Sequence, residues 1–442
     1  MDYISIGDTI IFSPDFNKVI EDDLAKLINQ HHMLIFSDHQ IIDKKYGILS
    51  GKFEFYDDFE SYEEFIGDAR LKLVANKFNQ SIGGVFNKKI NGLELVPNNL
   101  TNIIFGNEFN QEVSGLLPQF LTFLTFGNLF NQPVGQLPGG LKELKLGLKF
   151  NQSVYGLPNS LEKLTFDCNF NHSIDCLPST LKELNLGYSY NKMFDRLPSS
   201  LTHLTFGNNF NRPVKLTDNL ELTHLTFGDK FNHPVTGLPE KLTHLRFGFE
   251  FNHPVTELPD KLMYLYFGYK FNHPVTGLPE NLKKIEFGKK FNYPLTGLPE
   301  NLKKIFFNEH SDFNHTLTGL PANLKRLDLG NKFNQPVDNL PLGLCFIKFG
   351  NEFNQSVDSL PNNLDEIIFG KNFSQPVDNL PNSITCLTFF TNYKGEFNNL
   401  PNSLEEINFI TQYGDSQSQT LQSIDARLDK NKFKNVKITF TK

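Results

Sequence analysis

Basic side chains recur in pairs in three successive segments of the sequence. Each pair lies at the start of a short apolar run, and the pairs are Lys283 and Lys284, Lys303 and Lys304, and Lys325 and Arg326. Aromatic residues lie in these runs or in the adjacent ones, namely Tyr264, Tyr266, Phe306 and Phe346. Clustered cations bind carboxylates or phosphates, and exposed aromatic residues beside Arg and Lys are typical of protein interfaces and nucleic-acid platforms. The pattern therefore predicts a binding surface for an anionic macromolecule.

A second interpretation of these cations needs no partner. Long side chains hold like charges apart on a solvated face, and carboxylates close in the sequence offset part of the charge. Glu286 lies two residues after Lys284, and Asp328 lies two residues after Arg326. Both interpretations stay open at the level of the sequence.

Three histidines occupy the position of Lys284 in earlier segments, and they are His203, His224 and His244. Imidazoles on neighbouring strands are able to bind zinc. Here Thr205 and Thr226 flank them, no fourth ligand of obvious type follows, and copying of LTHLTFG as LTHLRFG explains the recurrence without a metal. We therefore predict no metal and no cofactor, and we assign the histidines to the same partner-binding surface.

The elements that position these residues follow from an internal repeat. A unit reading LxxΦxFGxxFNxPVxxLPxx, where Φ is apolar, recurs mostly every 20 residues; it begins at Leu100, Leu121, Leu141, Leu161, Leu181, Leu201, Leu222, Leu242, Leu262, Leu282, Leu302, Leu324, Leu344, Leu364, Ile384 and Leu404. The first part alternates apolar and polar residues, as a strand does, and the prolines that follow do not favour a helix. The sequence predicts a repeat solenoid, mainly β, with a leucine-rich-repeat-like parallel sheet of about 16 or more short strands and non-helical backs.

The fixed positions of the unit have structural explanations. We expect Leu245, Phe247 and Phe251 to point inside and to stack on their equivalents, and Gly248 to allow a close approach or a positive φ where the chain leaves the strand. Asn252 and its copies are predicted to form an internal hydrogen-bonded ladder. The histidine that follows Asn alternates with Gln in other units, which indicates a hydrogen-bonding role in the turn.

The pattern FGxxFNxPV followed by LP, across about residues 74 to 409, resembles the FNIP repeat. This is a leucine-rich-repeat-like unit found in slime-mould amoebae and in giant DNA viruses that infect amoebae. The resemblance implies an interaction scaffold without known catalytic residues.

Both ends of the chain depart from the regular unit. Ile10 and Phe12 fall where a degenerate repeat would place them, and Ile20, Leu24 and Leu27 recur at helical spacing. We predict an N-terminal capping region with one helix and degenerate repeats over residues 1–70, the solenoid over 71–409, and a C-terminal cap of a helix and a strand, small and α/β like the first, over 410–442. Caps are expected because an end coil otherwise exposes its apolar face.

Bulk properties limit the function classes. The net charge of −7 argues against general affinity for nucleic acid, and four cysteines in 442 residues form no disulfide framework. We see no signal peptide and no apolar stretch of transmembrane length, which favours an intracellular, cytoplasmic location (the host cell or the virion for a viral protein).

The sequence contains no GxSxG, P-loop or HExxH motif, so we predict that the protein is not an enzyme. The favoured function is a scaffold that binds a protein partner on the exposed sheet, from His203 to Phe346, and the protein is expected to be a monomer. Nucleic-acid or phosphate binding through the basic residues, and self-assembly through the end strands, remain alternatives.

Overall fold

The structure is a computed structural model that describes residues 3–6, 9–12, 33–36, 74–75, 101–105, 107, 109–115, 117–216, 221–411 and 436–441. The chain forms two compact units. Unit 1 comprises Met1–Phe210 with Leu220–Leu222, and unit 2 comprises Asn211–Asn219 with Thr223–Lys442.

The described residues of unit 1 form two sheets. In the first, strand β1 pairs antiparallel with β2, and β2 pairs parallel with β3; the strands are β1 (Tyr3–Ile6), β2 (Thr9–Phe12) and β3 (Met33–Phe36). In the second, seven strands pair parallel in sequence order: β4 (Val74–Ala75), β5 (Asn102–Phe105), β6 (Phe123–Thr125), β7 (Glu143–Leu146), β8 (Lys163–Phe166), β9 (Glu183–Asn185) and β10 (His203–Thr205).

Unit 2 continues the same pattern in one parallel sheet. Its strands pair in sequence order: β11 (His224–Thr226), β12 (His244–Arg246), β13 (Tyr264–Tyr266), β14 (Lys284–Phe287), β15 (Lys304–Phe307), β16 (Arg326–Asp328), β17 (Phe346–Lys348), β18 (Glu366–Ile368), β19 (Cys386–Phe390), β20 (Glu406–Ile410) and β21 (Lys437–Thr441). No helix occurs among the described residues, and the coil backs consist of turns and extended chain. The predicted solenoid with short parallel strands and non-helical backs is confirmed.

The core is built from the repeated apolar positions, as predicted. Leu245, Phe247 and Phe251 are 0%, 2% and 0% exposed. Within a coil the rings of Phe247 and Phe251 stack with centroids 3.8 Å apart. Each ring also faces its equivalent in the next coil, for example Phe251 and Phe271 at 6.2 Å. One aromatic side chain copied into two interior positions explains the high Phe content.

Rings of successive coils stack both in the core and on the exposed face of unit 2. In the core, the ring centroids of Phe231 and Phe251 lie 6.1 Å apart. On the exposed face, those of His224 and His244 lie 4.0 Å apart, and those of His244 and Tyr264 lie 4.3 Å apart.

Gly248 illustrates why glycine follows most of the strands. A Cβ atom there would lie 2.1 Å from the carbonyl oxygen of Gly228 in the preceding coil, and Gly248 is not in the left-handed region. Close approach of two backbones is therefore the reason for glycine at this position. The turn before Leu-Pro does need a positive φ, and Glu257 adopts one of 58° where Gly277 occupies the equivalent position in the next coil.

The asparagine ladder exists, but its predicted internal location is wrong. The backbone N–H of Asn272 donates to Oδ1 of Asn252 at 2.9 Å. The backbone N–H of Asn252 likewise donates to Oδ1 of Asn232 at 3.0 Å. These asparagines are solvent-exposed, because the chain turns outward immediately after the buried Phe. The side-chain amide joins one coil to the next at the surface.

The prediction for the histidines that follow these asparagines is confirmed. Nε2–H of His253 donates to the carbonyl oxygen of Asn232 at 3.1 Å. In another coil Nε2–H of Gln355 donates to the carbonyl oxygen of Asn334 at 3.3 Å. His and Gln interchange because both reach the same acceptor.

The chain ends are described in part. Strand β2 contains Ile10 and Phe12, and strand β21 forms the predicted C-terminal strand, paired with β20. The helices predicted in residues 20–28 and 421–428 lie outside the described residues. The boundaries at residues 70 and 410 stay predictions.

A buried tyrosine provides a stability test of the core. Tyr190 occupies the position of Phe170 and Phe210 in neighbouring coils, is 0% exposed, and its hydroxyl has no hydrogen-bond partner among the described residues. Burial raises the pKa of this phenol, which therefore stays neutral. We expect Tyr190→Phe to raise the free energy of unfolding by about 1–2 kcal/mol, because it removes an unsatisfied buried hydroxyl.

Denaturant titration measures this change. The matched control is Tyr393→Phe, because the hydroxyl of Tyr393 donates to the carbonyl oxygen of Gln375 at 3.1 Å. We expect this control to lose about 1 kcal/mol. A Tyr190→Phe variant less stable than the wild type would show that the hydroxyl has a partner in solution.

Candidate functional site

The strand register places most of the predicted site residues in one row. The first residues of β11 to β17 pair successively across the sheet; they are His224, His244, Tyr264, Lys284, Lys304, Arg326 and Phe346. The second residue of each strand is buried, and the first and third residues are half-buried or exposed. This row, together with the third residues of the same strands, is called the sheet face below. His203 lies on β10 in unit 1 and is exposed.

The histidines of unit 2 form a stack of rings. His224 packs on His244, and His244 packs on Tyr264, with interplanar angles of 15° and 17°. Nδ1 of His244 lies 2.9 Å from Oγ1 of Thr243, and Nδ1 of His224 lies 2.9 Å from Oγ1 of Thr223. These contacts fix the ring orientations. In the part of the chain that the structure describes, no group of three or more His, Cys, Asp or Glu is arranged to hold a metal.

Cations and aromatic rings alternate across β12 to β17. Nζ of Lys284 lies 4.7 Å from the ring centre of Tyr266 and 4.5 Å from that of Phe306. Cζ of Arg326 lies 5.3 Å from the ring centre of Phe306 and 3.7 Å from that of Phe346. We name the full series the cation–aromatic ladder; its members are Arg246, Tyr266, Lys284, Phe306, Arg326 and Phe346.

Carboxylates within the sheet face offset the charges of the ladder. Arg326 forms two hydrogen bonds to Asp328, with Nε to Oδ1 at 2.7 Å and the second guanidinium nitrogen to Oδ2 at 2.9 Å. The hydrogen bond to Asp328 raises the pKa of Arg326, so the guanidinium stays charged. Nζ of Lys284 lies 3.3 Å from Glu286. The local neutralisation expected from the sequence is present. In addition, the cation–π contacts stabilise the cations by about 0.5–1 kcal/mol each.

A second set of lysines lies at the edge of the sheet face. Lys283, Lys303 and Lys325 immediately precede the first residues of β14 to β16, and we name them the lysine row. All three are exposed. Nζ of Lys325 donates to the carbonyl oxygen of Gly343 at 3.1 Å. Among the described residues, Lys283, Lys303 and the adjacent Lys304 form no ion pair.

Sequence reasoning missed two cations of the sheet face. Arg246 and Lys348 are the third residues of β12 and β17, and both are exposed. Arg246 begins the cation–aromatic ladder, with Cζ 5.4 Å from the ring centre of Tyr266. The sequence could have predicted both cations, because the third residue of each strand points outward as the first does.

The sheet face becomes acidic beyond β17. Glu366, Cys386 and Glu406 continue the row on β18 to β20. Burial raises the pKa of Glu366, and burial together with these two carboxylates raises the pKa of Cys386 to about 11. The thiol is therefore a poor nucleophile at neutral pH. The part of the sheet face suited to anions ends at β17.

Comparison with known proteins places this geometry in a family. The model of the FNIP repeat matches residues 86–129, 130–169, 150–189, 170–209, 210–250, 271–310, 313–352 and 353–390. The chain belongs to the FNIP repeat family. Among curated proteins, none matches the sequence.

Three solved structures are similar to this FNIP repeat protein, and the first of them shows the same type of fold. CroV588, a giant-virus protein described as a novel circular LRR protein, is 32% identical with a TM-score of 0.67, over 92% of this chain and 67% of CroV588. YopM from Yersinia enterocolitica is 22% identical with a TM-score of 0.44, over 67% of this chain and 68% of YopM. The functional domain of InlJ from Listeria monocytogenes is 16% identical with a TM-score of 0.45, over 68% of this chain and 71% of that domain.

The FNIP repeat protein is thus a solenoid related to leucine-rich-repeat proteins, a class that typically mediates protein–protein interaction. Within the residues that the structure describes, no helix is long and apolar enough to span a membrane.

Proposed function

We propose that this FNIP repeat protein is a non-enzymatic scaffold that binds a protein partner on the sheet face between His224 and Phe346. The observation that carries the proposal is the cation–aromatic ladder, which gives the exposed side of β12 to β17 rings and charges held in fixed positions. His203, which the sequence also assigned to partner binding, is exposed on unit 1, and its role stays a prediction. A reducing intracellular compartment is part of the proposal, because all four cysteines are free.

The ladder favours binding because its side chains are ordered before a partner arrives. Each ring is held by a cation, and Lys284 and Arg326 are also held by carboxylates. Side chains that are already ordered lose less conformational entropy on association. Tyr and Arg are also the residue types most enriched at the energetically dominant positions of protein interfaces.

Nucleic-acid binding is the second candidate, and the geometry supports it less well. Proteins bind single-stranded nucleic acid by stacking bases on open aromatic faces. Tyr266 lies between Arg246 and Lys284, and Phe306 lies between Lys284 and Arg326. These rings therefore have a cation on each side where a base would stack.

Affinity capture from amoebal lysate with quantitative mass spectrometry tests the proposal. The face variant is Lys304→Glu with Lys348→Glu, two exposed residues of the sheet face. The control variant is Lys230→Glu with Lys371→Glu, two exposed lysines in turns after the strands, with the same change in net charge. We expect the face variant to retain about one tenth or less of a captured protein, a loss of about 1.4 kcal/mol in binding. We expect the control variant to retain it.

Equal capture by the wild type, the face variant and the control variant would contradict binding at the sheet face. Loss of a nucleic acid rather than a protein would favour the second candidate. Size measurement at several protein concentrations separates either result from self-assembly through the end strands.

A further inference from the structure

We propose that the lysine row Lys283, Lys303 and Lys325 binds an acidic helix of the protein partner, with the helix lying across the strands and its carboxylates on one face. This inference rests on the proposed function and adds the chemistry of the partner. The sequence pattern assigns anion recognition to all six basic residues of the three pairs, and this inference confines it to the three lysines of the row.

The first step is that the ladder cations are engaged within the protein. Lys284 contacts two rings and Glu286, and Arg326 contacts two rings and both oxygens of Asp328. A partner carboxylate would have to displace those contacts to pair with either cation. The lysine row has no such competition, since Lys283 and Lys303 form no ion pair among the described residues. Lys325 uses one of its three N–H donors for the carbonyl oxygen of Gly343.

The second step is the spacing of the lysine row. The backbone N–H of Lys303 donates to the carbonyl oxygen of Lys283 at 2.9 Å, and that of Lys325 donates to the carbonyl oxygen of Lys303 at 2.9 Å. The three lysines are therefore adjacent in a parallel ladder, with about 4.8 Å between successive residues.

The third step is the match to a helix. An α-helix rises about 1.5 Å per residue, so carboxylates three or four residues apart repeat every 4.5–6 Å on one face. In an extended chain, side chains on one face repeat every ~6.7 Å, because each residue adds about 3.3–3.4 Å. Over the three lysines, the carboxylates of a helix stay in register with the lysines. Those of an extended chain are displaced by almost one lysine spacing.

The fourth step separates a protein from a nucleic acid as the partner. Exposed Glu280 and Glu300 precede Lys283 and Lys303 by three residues in the same coils. A nucleic acid carries negative charge along its whole length and is repelled by these carboxylates. A helix with acidic residues on one face and lysines beside them is attracted both by the lysine row and by Glu280 and Glu300.

Synthetic 18-residue helical peptides provide the probes, read by fluorescence anisotropy at low and physiological salt. One peptide has Glu at every third or fourth position on a single face with Lys beside it, and the second has the same composition with Glu distributed around the helix. A single-stranded oligonucleotide is the third probe. The row variant is Lys283→Glu, Lys303→Glu and Lys325→Glu, and its control is Lys230→Glu, Lys371→Glu and Lys394→Glu, three exposed lysines outside the row. Circular dichroism and thermal melting establish that both variants fold.

We expect the one-face peptide to bind the full chain about tenfold more tightly than the distributed peptide. The row variant should lose this binding and the control variant should keep it. Equal binding of the two peptides, retention of binding by the row variant, or tighter binding of the oligonucleotide would overturn the inference. The proposed function is tested independently, because its capture experiment uses Lys304 and Lys348 rather than the lysine row. If capture depended on Lys304 and Lys348 but not on the lysine row, the proposed function would be supported. The proposal that the lysine row binds an acidic helix would be wrong.

Discussion

Replacing Gly268 by alanine is expected to lower the free energy of unfolding by about 3 kcal/mol or more, at the upper end of the cost of overpacking a well-packed interior. A Cβ atom at Gly268 would lie 1.7 Å from the carbonyl oxygen and 2.4 Å from the carbonyl carbon of Gly248. Both are backbone atoms, so no side chain can move aside to make room. The two coils must separate, which lengthens the ladder hydrogen bonds and unstacks the neighbouring phenylalanines.

Denaturant titration and amide hydrogen exchange measure this effect. The matched control is Gly139→Ala, where an added Cβ atom meets nothing within 4 Å and φ is not in the left-handed region. We expect this control to stay within about 0.5 kcal/mol of the wild type. Hydrogen exchange should accelerate most in the strands that flank Gly268, because each coil contacts only its neighbours. Equal stability of the two variants would show that the coils are not in close contact at the strand exit.

Phe271→Ala is expected to cost about 3–5 kcal/mol, the usual range for a fully buried aromatic residue. Phe271 is 0% exposed, and its ring stacks on Phe267 at 3.7 Å. It also faces Phe251 and Phe291 in the adjacent coils, with ring centroids 6.2 and 6.1 Å away. The substitution opens a cavity between three coils, because the neighbouring rings are held in place by their own stacks.

Two comparisons make the Phe271 result interpretable. Phe271→Leu keeps much of the volume and should cost less than half as much as the alanine variant. Phe120→Ala removes a ring that is 65% exposed and should change stability little. An alanine variant at Phe271 that is no less stable than Phe120→Ala would contradict a continuous aromatic core.

The fold was predictable because the same side chains recur in the same positions. Leu245, Phe247 and Phe251 were assigned to the interior from recurrence alone, and each is at most 2% exposed. A coil of this length has room for one short strand, and copies of it bury their apolar faces only by stacking. The location of the asparagine ladder was not predictable, since a fixed polar residue is equally consistent with a buried and an exposed hydrogen bond. Its partner, the backbone N–H of the next coil, is visible only in three dimensions.

The candidate site was predictable as a set of positions but not as a set of contacts. Reading the first strand residues of successive units placed Lys284 and Arg326 correctly on the exposed side. The direction of a long side chain is not encoded in its position, and both cations cross to rings on neighbouring strands. For this reason the six cations to which the sequence assigned anion binding include two, Lys284 and Arg326, whose charge is already engaged.

Lysine acylation footprinting of the complex with a captured partner tests most directly whether the sheet face is the binding surface. The protein is labelled with an amine-reactive reagent in the free and bound states, and the modification of each lysine is measured by mass spectrometry. The proposed function predicts that Lys304 and Lys348 lose most of their labelling in the complex, while Lys230, Lys371 and Lys394 keep theirs. Unchanged labelling of Lys304 and Lys348, with protection at lysines of the turns instead, would contradict binding at the sheet face.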